Sequence, residues 1–544
     1  MRGTIHGPEY AGSVAAPGGT VVRAGRALGR FAESRRAIPV IFGVALAVYS
    51  AVSIALPLRA GRDLPRYLLV YGQLFDAHVV FPNALLARTP GTPVVTGLLL
   101  EGGPVVSEAG LAVLYALSVV AWFCVARRFG PVAALATAAA LLAYPGYVLL
   151  FHELASDALF AATFALVALL LMRAVEHPTM TRAAGLGLGV VALVLARPVG
   201  QVLLLLGFAP LLAARGRRPR VEAVLAFAVA AVVPLVALAG VNAARADDFT
   251  VVRGGSASLL FRTFVADRIV EPDNGEASGE LARAVSQELL PHEPYRSRGI
   301  DVQTFFTSGS SRMHDDLTVL SDRTWGWDDD YRHLGRVARE AIRAHPGTYA
   351  RGVAKDMWRL LLWPLYGPVD TTASSQSGAG TQPAAPATAT AAATTDEEPI
   401  PSSREAPYIS TPDGRIRELW TSPTDHSIVF RYPADAARSV ALDRELNALL
   451  AGLPDRGGNP SLVARLNNLS RLYPRPFMWL LVGMAAALWR RPRGIAVPLA
   501  LAAAALAVMV STSLAVYAVA EYSVPVVPAF VLLATAGVFG PRSP

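Results

Sequence analysis

Apolar runs close to the length that crosses a bilayer recur along this chain, and they constrain its fold before any motif is read. Hydrocarbon offers no water to backbone N–H and C=O groups, so each run must close its own hydrogen bonds as a helix. The runs are Ala37–Leu58, Ser107–Ala126, Pro131–Leu150, Leu159–Met172, Ala183–Ala196, Val199–Ala214, Val221–Val241, Pro476–Trp489, Ile495–Val516 and Val524–Phe539. The expected fold is an all-α polytopic membrane protein of about ten transmembrane helices. Only 17% of the residues are charged and 53% are hydrophobic, too little charge for a soluble enzyme of this size.

The formal net charge of +8 raises the question of a nucleic-acid partner. The arginines answer it, because they fall in short clusters between the apolar runs, as in cytoplasmic loops. Arg23 to Arg36 precede the first run. Arg127 and Arg128 follow the second, and Arg173 and Arg182 flank the turn after the fourth. Arg215, Arg217, Arg218 and Arg220 follow the sixth; Arg490, Arg491 and Arg493 follow the eighth. Ten spans with both termini cytoplasmic put all of these on one side. No nucleic-acid partner is expected, and the expected location is the plasma membrane.

This topology divides the chain into a cytoplasmic segment 1–36, a membrane core 37–241, a large extracytoplasmic loop 242–475 and C-terminal membrane helices 476–544. The core carries a first outer stretch, Arg59–Val106. Within it Leu64, Tyr67, Leu68, Tyr71, Leu74 and Phe75 recur at helical spacing, as in a helix lying in the interface plane, with Arg66 and Gln73 on its exposed side. The Pro346–Leu361 stretch repeats that pattern with Tyr349, Val353, Met357, Leu360 and Leu361. Thr371–Thr395 holds only Ala, Thr, Ser, Gly, Gln and Pro and is expected to be disordered. Cys124 is the sole cysteine, so no intrachain disulfide can form.

The candidate chemistry lies at the outer ends of the spans. Asp63 follows the first span and is either a general base or the N-cap of the next helix. His152, Glu153, Ser156 and Asp157 open the fourth span; Glu153 and Asp157, four apart, share a helix face. Arg197, in Arg197-Pro198, and Arg88, in Arg88-Thr89-Pro90-Gly91-Thr92-Pro93, either snorkel to headgroups or hold a phosphate with a planar fork. Acids and arginines converging on one side suit an anionic lipid substrate. No Walker loop, HExxH, GxSxG or Cys-based metal spacing is present, so no metal or cofactor is expected and the energy would come from an activated substrate. A transporter or flippase is the alternative, but it needs charges in mid-span, whereas these acids sit at span ends.

In their order, these stretches resemble the GT-C superfamily of membrane glycosyltransferases, which includes protein mannosyltransferases and lipid A sugar transferases. Gly61-Arg62-Asp63 with Tyr67 resembles its acid after the first span, and the Arg88–Pro93 turn its basic turn. Glu153-Leu154-Ala155-Ser156-Asp157 resembles its outer acidic helix start, and Ala196-Arg197-Pro198 its Arg-Pro turn. Tyr522-Ser523-Val524-Pro525-Val526-Val527-Pro528 is similar to its last-helix pattern, and His345-Pro346 with Tyr349 recurs before an interfacial helix. Two departures are Leu64, where many relatives have a second acid, and Ser523, where many have a basic residue. The resemblance implies inverting transfer of a sugar from a polyprenyl-phosphate donor to a glycan, lipid or protein acceptor. Asp63 would be the base and Arg88 a donor-phosphate contact, with Arg197, His152, Glu153, Asp157, Tyr67 and Tyr522 binding substrate.

The orientation is testable in whole cells with Cys124→Ser as background. A membrane-impermeant maleimide is expected to label Ser310→Cys and Ser375→Cys but not Ser13→Cys. Labelling of the two loop sites only after lysis would reverse the topology.

Overall fold

A computed structural model describes residues 27–76, 78–209, 217–326, 331–362, 410–411, 413–423, 425–453, 459–518 and 522–542. The expected disordered tract at 371–395, residues 1–26 of the cytoplasmic segment and residues 210–214 of the sixth apolar run lie outside these ranges. Nearly all the regular structure of the described chain is helical, beside two two-stranded sheets. Five of its helices are long and apolar enough to cross a membrane: Ala37–Ala55, Gly103–Phe129, Ser156–Glu176, Arg218–Ala246 and Ala496–Ala515. Pro131–Leu142, Met180–Ala196, Pro198–Phe208 and Val524–Phe539 are apolar but shorter.

The differences from the sequence expectation have local causes. The third run, expected as one span over Pro131–Leu150, is two helices, Pro131–Leu142 and Pro145–Leu150. Pro145 lacks an N–H and pushes Tyr144 to an extended conformation (φ −91, ψ 96), which ends the first helix. The second span begins at Gly103 rather than Ser107, after a separate apolar helix, Gly91–Glu101. The sixth run forms a 3-10 helix, Pro198–Phe208.

Burial separates helices facing lipid from helices facing protein. Val527–Phe539 is apolar all round, and Pro528, Phe530, Leu532 and Leu533 are all buried among Pro476–Arg490, Ala496–Ala515 and Pro131–Leu142. Arg218–Ala246 instead leaves Leu225, Val229, Val232, Val233 and Val236 exposed, a surface that only lipid tails can cover without cost.

The loop between Ala246 and Pro346, expected from sequence on the outer side and hence termed the outer domain, folds around its own core. The helices Gly255–Phe261, Glu276–Ala284, Val302–Thr307, Ser311–Trp325 and Arg332–Ala344 enclose Leu260, Phe264, Leu281, Phe305, Leu317 and Leu334. Arg332–Ala344 shows why: His333, Leu334, Val337, Ala338 and Ala341 fall on one face and are buried. Burying Leu334 alone contributes about 1.5–3 kcal/mol relative to exposure, a driving force that water supplies here and lipid would not.

The two amphipathic stretches form helices, Leu64–Gln73 and Pro346–Leu362, but their buried faces carry polar groups as well. Gln73 is fully buried, against expectation, and Phe75 is 83% exposed. The helix ends at Gln73, so Phe75 leaves the stripe. The Gln73 amide is instead the local anchor: its Oε1 accepts from the backbone N–H of Val80 (3.1 Å) and Phe81 (2.8 Å), and its Nε2 donates to Leu69 O (3.1 Å). In Pro346–Leu362 the buried face holds Asp356 beside Leu360, because the Arg262 guanidinium reaches down to that carboxylate.

Gln73→Leu strands two buried N–H groups at about 1–3 kcal/mol each. A clear fall of its unfolding midpoint in detergent is expected, while Phe75→Ser is expected to stay within about 0.5 kcal/mol of the parent. Equal midpoints for Gln73→Leu and the parent would contradict this anchor.

Candidate functional site at the rim of the helices

Two close contacts assemble the rim from segments far apart in sequence. Arg59–Ala60, just past the first span, pairs in parallel with Glu153–Leu154, just before the fourth. Arg59 Nη2 lies 3.0 Å from Glu153 Oε2, and Arg59 N donates to His152 O at 3.1 Å. Gly61 then passes so close that a Cβ there would sit 2.6 Å from Leu154 O. A second contact joins the Arg88–Pro93 turn to the end of Met180–Ala196. A Cβ on Gly91 would sit 2.5 Å from Leu195 O, and Thr92 Oγ1 donates to Ala196 O at 2.8 Å. Asp63, Arg88, Asp157 and Arg197 thus meet although 134 residues separate the first from the last.

Asp63 occupies the N-cap position of Leu64–Gln73 (φ −94, ψ 5), and its backbone oxygen accepts from Tyr67 N at 3.0 Å. Its side chain makes no capping hydrogen bond. The carboxylate faces guanidinium groups instead: Arg88 Nη2 at 3.5 Å, Arg62 Nε at 3.7 Å and Arg66 Nη1 at 3.9 Å. Burial pushes this carboxyl up, but Arg88, then Arg62, Arg66 and Arg197, outweigh that and hold it below its ordinary value. Asp63 is therefore ionised through the neutral range.

A second pair lies alongside. Asp157 ion-pairs with Arg197, and both side chains are largely buried. The Arg197 guanidinium stacks over the Tyr522 ring at 4.4 Å, a contact that fixes its plane. Tyr67 links the two pairs. Its buried hydroxyl is within hydrogen-bonding reach of Ser156 and feels the charges of Asp63, Arg88 and Asp157. Burial, then the Asp63 charge, raises the phenol above its ordinary value, so it stays protonated as a donor.

The expected residues therefore divide. Asp63, Arg88, Tyr67, Asp157, Arg197 and Tyr522 converge, and Glu153 joins the rim through Arg59. His152 stands apart. Its ring is fully buried and stacks on Tyr49 (4.0 Å between centroids), with Nδ1 3.0 Å from Val148 O and Nε2 3.2 Å from Ser53 Oγ. Burial lowers it to about 4, so it is neutral at pH 7 and ties the first span to the segment before the fourth. Arg59, Arg62 and Arg66 were not assigned from sequence. Arg66 was legible, since a residue three beyond an acid shares its helix face. Among the described residues no group of three His, Cys, Asp or Glu side chains is placed to hold a metal. A small apolar cavity of about 10 Å³ lies beside the rim, lined by Thr92, Val95, Leu99, Leu111, Leu154 and Leu159.

No family model matches the chain, and no curated protein does. Among solved structures it is similar to the crystal structure of ArnT from Cupriavidus metallidurans bound to undecaprenyl phosphate, at 15% identity and a TM-score of 0.32, over 93% of this chain and 78% of that one.

Because the Asp63 carboxyl is held below its unfolded value, its ion pairs stabilise the protein above the ordinary Asp range, and that contribution disappears as pH falls through the lower, folded value. Unfolding midpoints of the parent and Asp63→Asn are expected to differ by a constant margin from pH 5 to 7, about 1–3 units above the ordinary Asp pKa, and to converge below it. A margin that grows on acidification would contradict the sign.

Proposed function

We propose that this protein is a membrane glycosyltransferase that moves a sugar from a polyprenyl-phosphate donor to a hydroxyl acceptor at the outer face of the membrane, with inversion. The observation that carries the reading is Asp63: a carboxylate at a helix N-cap that does not cap, held ionised 3.5 Å from Arg88. The reading takes the ten-span topology, with both termini cytoplasmic and 242–475 outside, as its frame. No resident cofactor takes part, and the partners are membrane lipid, the lipid-linked donor and a glycan, lipid or protein acceptor.

The donor's phosphate would meet the Arg88 fork, the geometry a guanidinium offers to phosphate oxygens. The acceptor oxygen attacks the anomeric carbon from the opposite side. The new C–O bond forms as the bond from that carbon to the phosphate oxygen breaks, and the leaving electron pair goes to the lipid phosphate. Arg88 stabilises the charge that grows there. The acceptor's proton passes to Asp63. A carboxylate held below its ordinary pKa is a weaker base, so proton transfer trails C–O bond formation, when the attacking oxygen has become acidic. The Arg197–Tyr522 stack and the Tyr67 hydroxyl would hold the sugar or acceptor beside this pair.

The test is transfer from a polyprenyl-phosphate sugar extract to endogenous acceptor at matched protein levels. Asp63→Asn is expected to lose about two or more orders of magnitude, because an amide takes no proton. Arg88→Lys is expected to retain more activity than Arg88→Ala, since charge remains while the fork is lost. In Arg88→Ala the residual activity is expected to lose its acidic side at a higher pH than in the parent, as the largest of the lowering charges is gone. Full activity of Asp63→Asn would sink the assignment of the base.

A further inference from the structure

Arg253 is an arginine that the rim chemistry does not use, yet it is among the most thoroughly engaged side chains of the outer domain. Its guanidinium is 2% exposed. It lies 2.7 Å from Asp322 Oδ1 through Nη2 and 3.4 Å from Asp248 Oδ2 through Nε, and it stacks over the Tyr331 ring at 4.3 Å. These three partners belong to the outer domain and its entry, and they carry enough negative charge to offset the cation. The remaining contacts point the other way. Arg253 Nη1 donates to Asn83 Oδ1 at 3.2 Å, and its backbone N–H donates to Leu86 O at 2.8 Å. Asn83 in turn donates to Ser410 O at 3.0 Å. Asn83 and Leu86 belong to the five-residue helix Pro82–Leu86, and Arg88 follows its C-cap, Ala87.

We propose that Arg253 is a positioning residue: it locks the Pro82–Leu86 helix to the outer domain and thereby sets where Arg88 stands relative to Asp63. The argument is geometric. A five-residue helix has too few internal hydrogen bonds to hold its own orientation. Its carbonyl at Leu86 and its side chain at Asn83 are both fixed by one residue from another unit. That residue is itself immobilised by two carboxylates and an aromatic face. A shift of about an ångström at Arg88 would move the guanidinium fork off a phosphate oxygen, and misplacement on this scale costs up to about 100-fold in rate. A lysine cannot reproduce the arrangement, because an ammonium lacks the planar fork that reaches Asn83 and Asp322 together. The outer domain then contributes to the transfer machinery through this bridge, without touching substrate.

This inference rests on the proposed role of Arg88, and the experiment separates the two. In a Cys124→Ser background, Thr89→Cys reports on the Arg88 turn, since Thr89 is 2% exposed; Ala284→Cys, 7% exposed, reports on the outer-domain core. Arg253→Lys is introduced into each, and labelling by a small thiol reagent is timed beside transfer from the polyprenyl-phosphate sugar extract. The expected result is Thr89→Cys labelling faster by about tenfold or more, unchanged Ala284→Cys labelling, and transfer reduced about tenfold or more. Asn83→Leu, which cuts the contact from the other side, is expected to reproduce the pattern should Arg253→Lys fail to accumulate. Unchanged Thr89→Cys labelling in both variants overturns the proposal, and so does equal acceleration at both sites, which marks a general loss of the fold. Faster labelling of Thr89→Cys alone with full transfer upholds the positioning by Arg253 and removes Arg88 from the reaction.

Discussion

The two-residue parallel pairing of Arg59–Ala60 with Glu153–Leu154 is the contact on which the rest of the rim depends. By itself it is small, a few backbone hydrogen bonds and the 3.0 Å contact between Arg59 and Glu153. Its effect is to bring the end of the first span against the start of the fourth, so that Asp63 and Asp157 share one rim. Gly61 is the sequence requirement, since any side chain there would strike Leu154 O. The Arg88 turn is fixed by an analogous device, with Gly91 against Leu195 and Thr92 on Ala196. Short contacts between backbone segments carry the geometry because the spans offer only apolar faces, and lipid tails are as apolar as the helices themselves.

Charge follows the same division. Among the described residues, the five helices long enough to span carry their ionised groups at or near their ends. The rim gathers Asp63, Arg88, Asp157 and Arg197. Asp63 shows the balance in one group: burial disfavours its charge, and the guanidinium groups around it restore the charge and more. Arginine fits this task because its planar fork is weakly hydrated and always charged, so it pairs at a half-buried rim where an ammonium would hold its water. Arg262, fully buried between Asp267, Asp356 and Val516 O, makes the same use of arginine where the outer domain meets the membrane helices. Arg253 makes a third such use beside the Arg88 turn.

Much of this was legible in the sequence, for physical reasons. The apolar runs mark the helices because bilayer thickness sets their length, and Asp63, Asp157 and Arg197 were legible as rim residues because each lies at the end of such a run, while Arg88 was legible from its Pro-rich turn. The break at Tyr144-Pro145 is written in the sequence too, but hydropathy hides it, since a proline among apolar residues does not interrupt the pattern. Gln73 was not legible. Its helical phase placed it outside the stripe, and only the return of the chain at Val80 and Phe81 gives it partners. His152 read as a rim residue because its neighbours are polar, but the stack on Tyr49 turns it inward. Arg253 lies in a polar loop with no periodicity, and nothing in the sequence indicates that Asp248, Asp322, Tyr331 and Asn83 surround it.

The central claim is that the rim recognises a lipid phosphate through Arg88 beside an ionised Asp63. The most direct measurement is the affinity of the purified protein for a polyprenyl phosphate and for the corresponding neutral polyprenol. The account predicts that the phosphate binds more tightly by about tenfold or more in the parent, the worth of a charge-assisted contact to the phosphate. It predicts that Asp63→Asn keeps that preference, because a negative neighbour has been removed, and that Arg88→Ala loses it. Equal affinity of the parent for the two lipids, or an undiminished preference in Arg88→Ala, would contradict it.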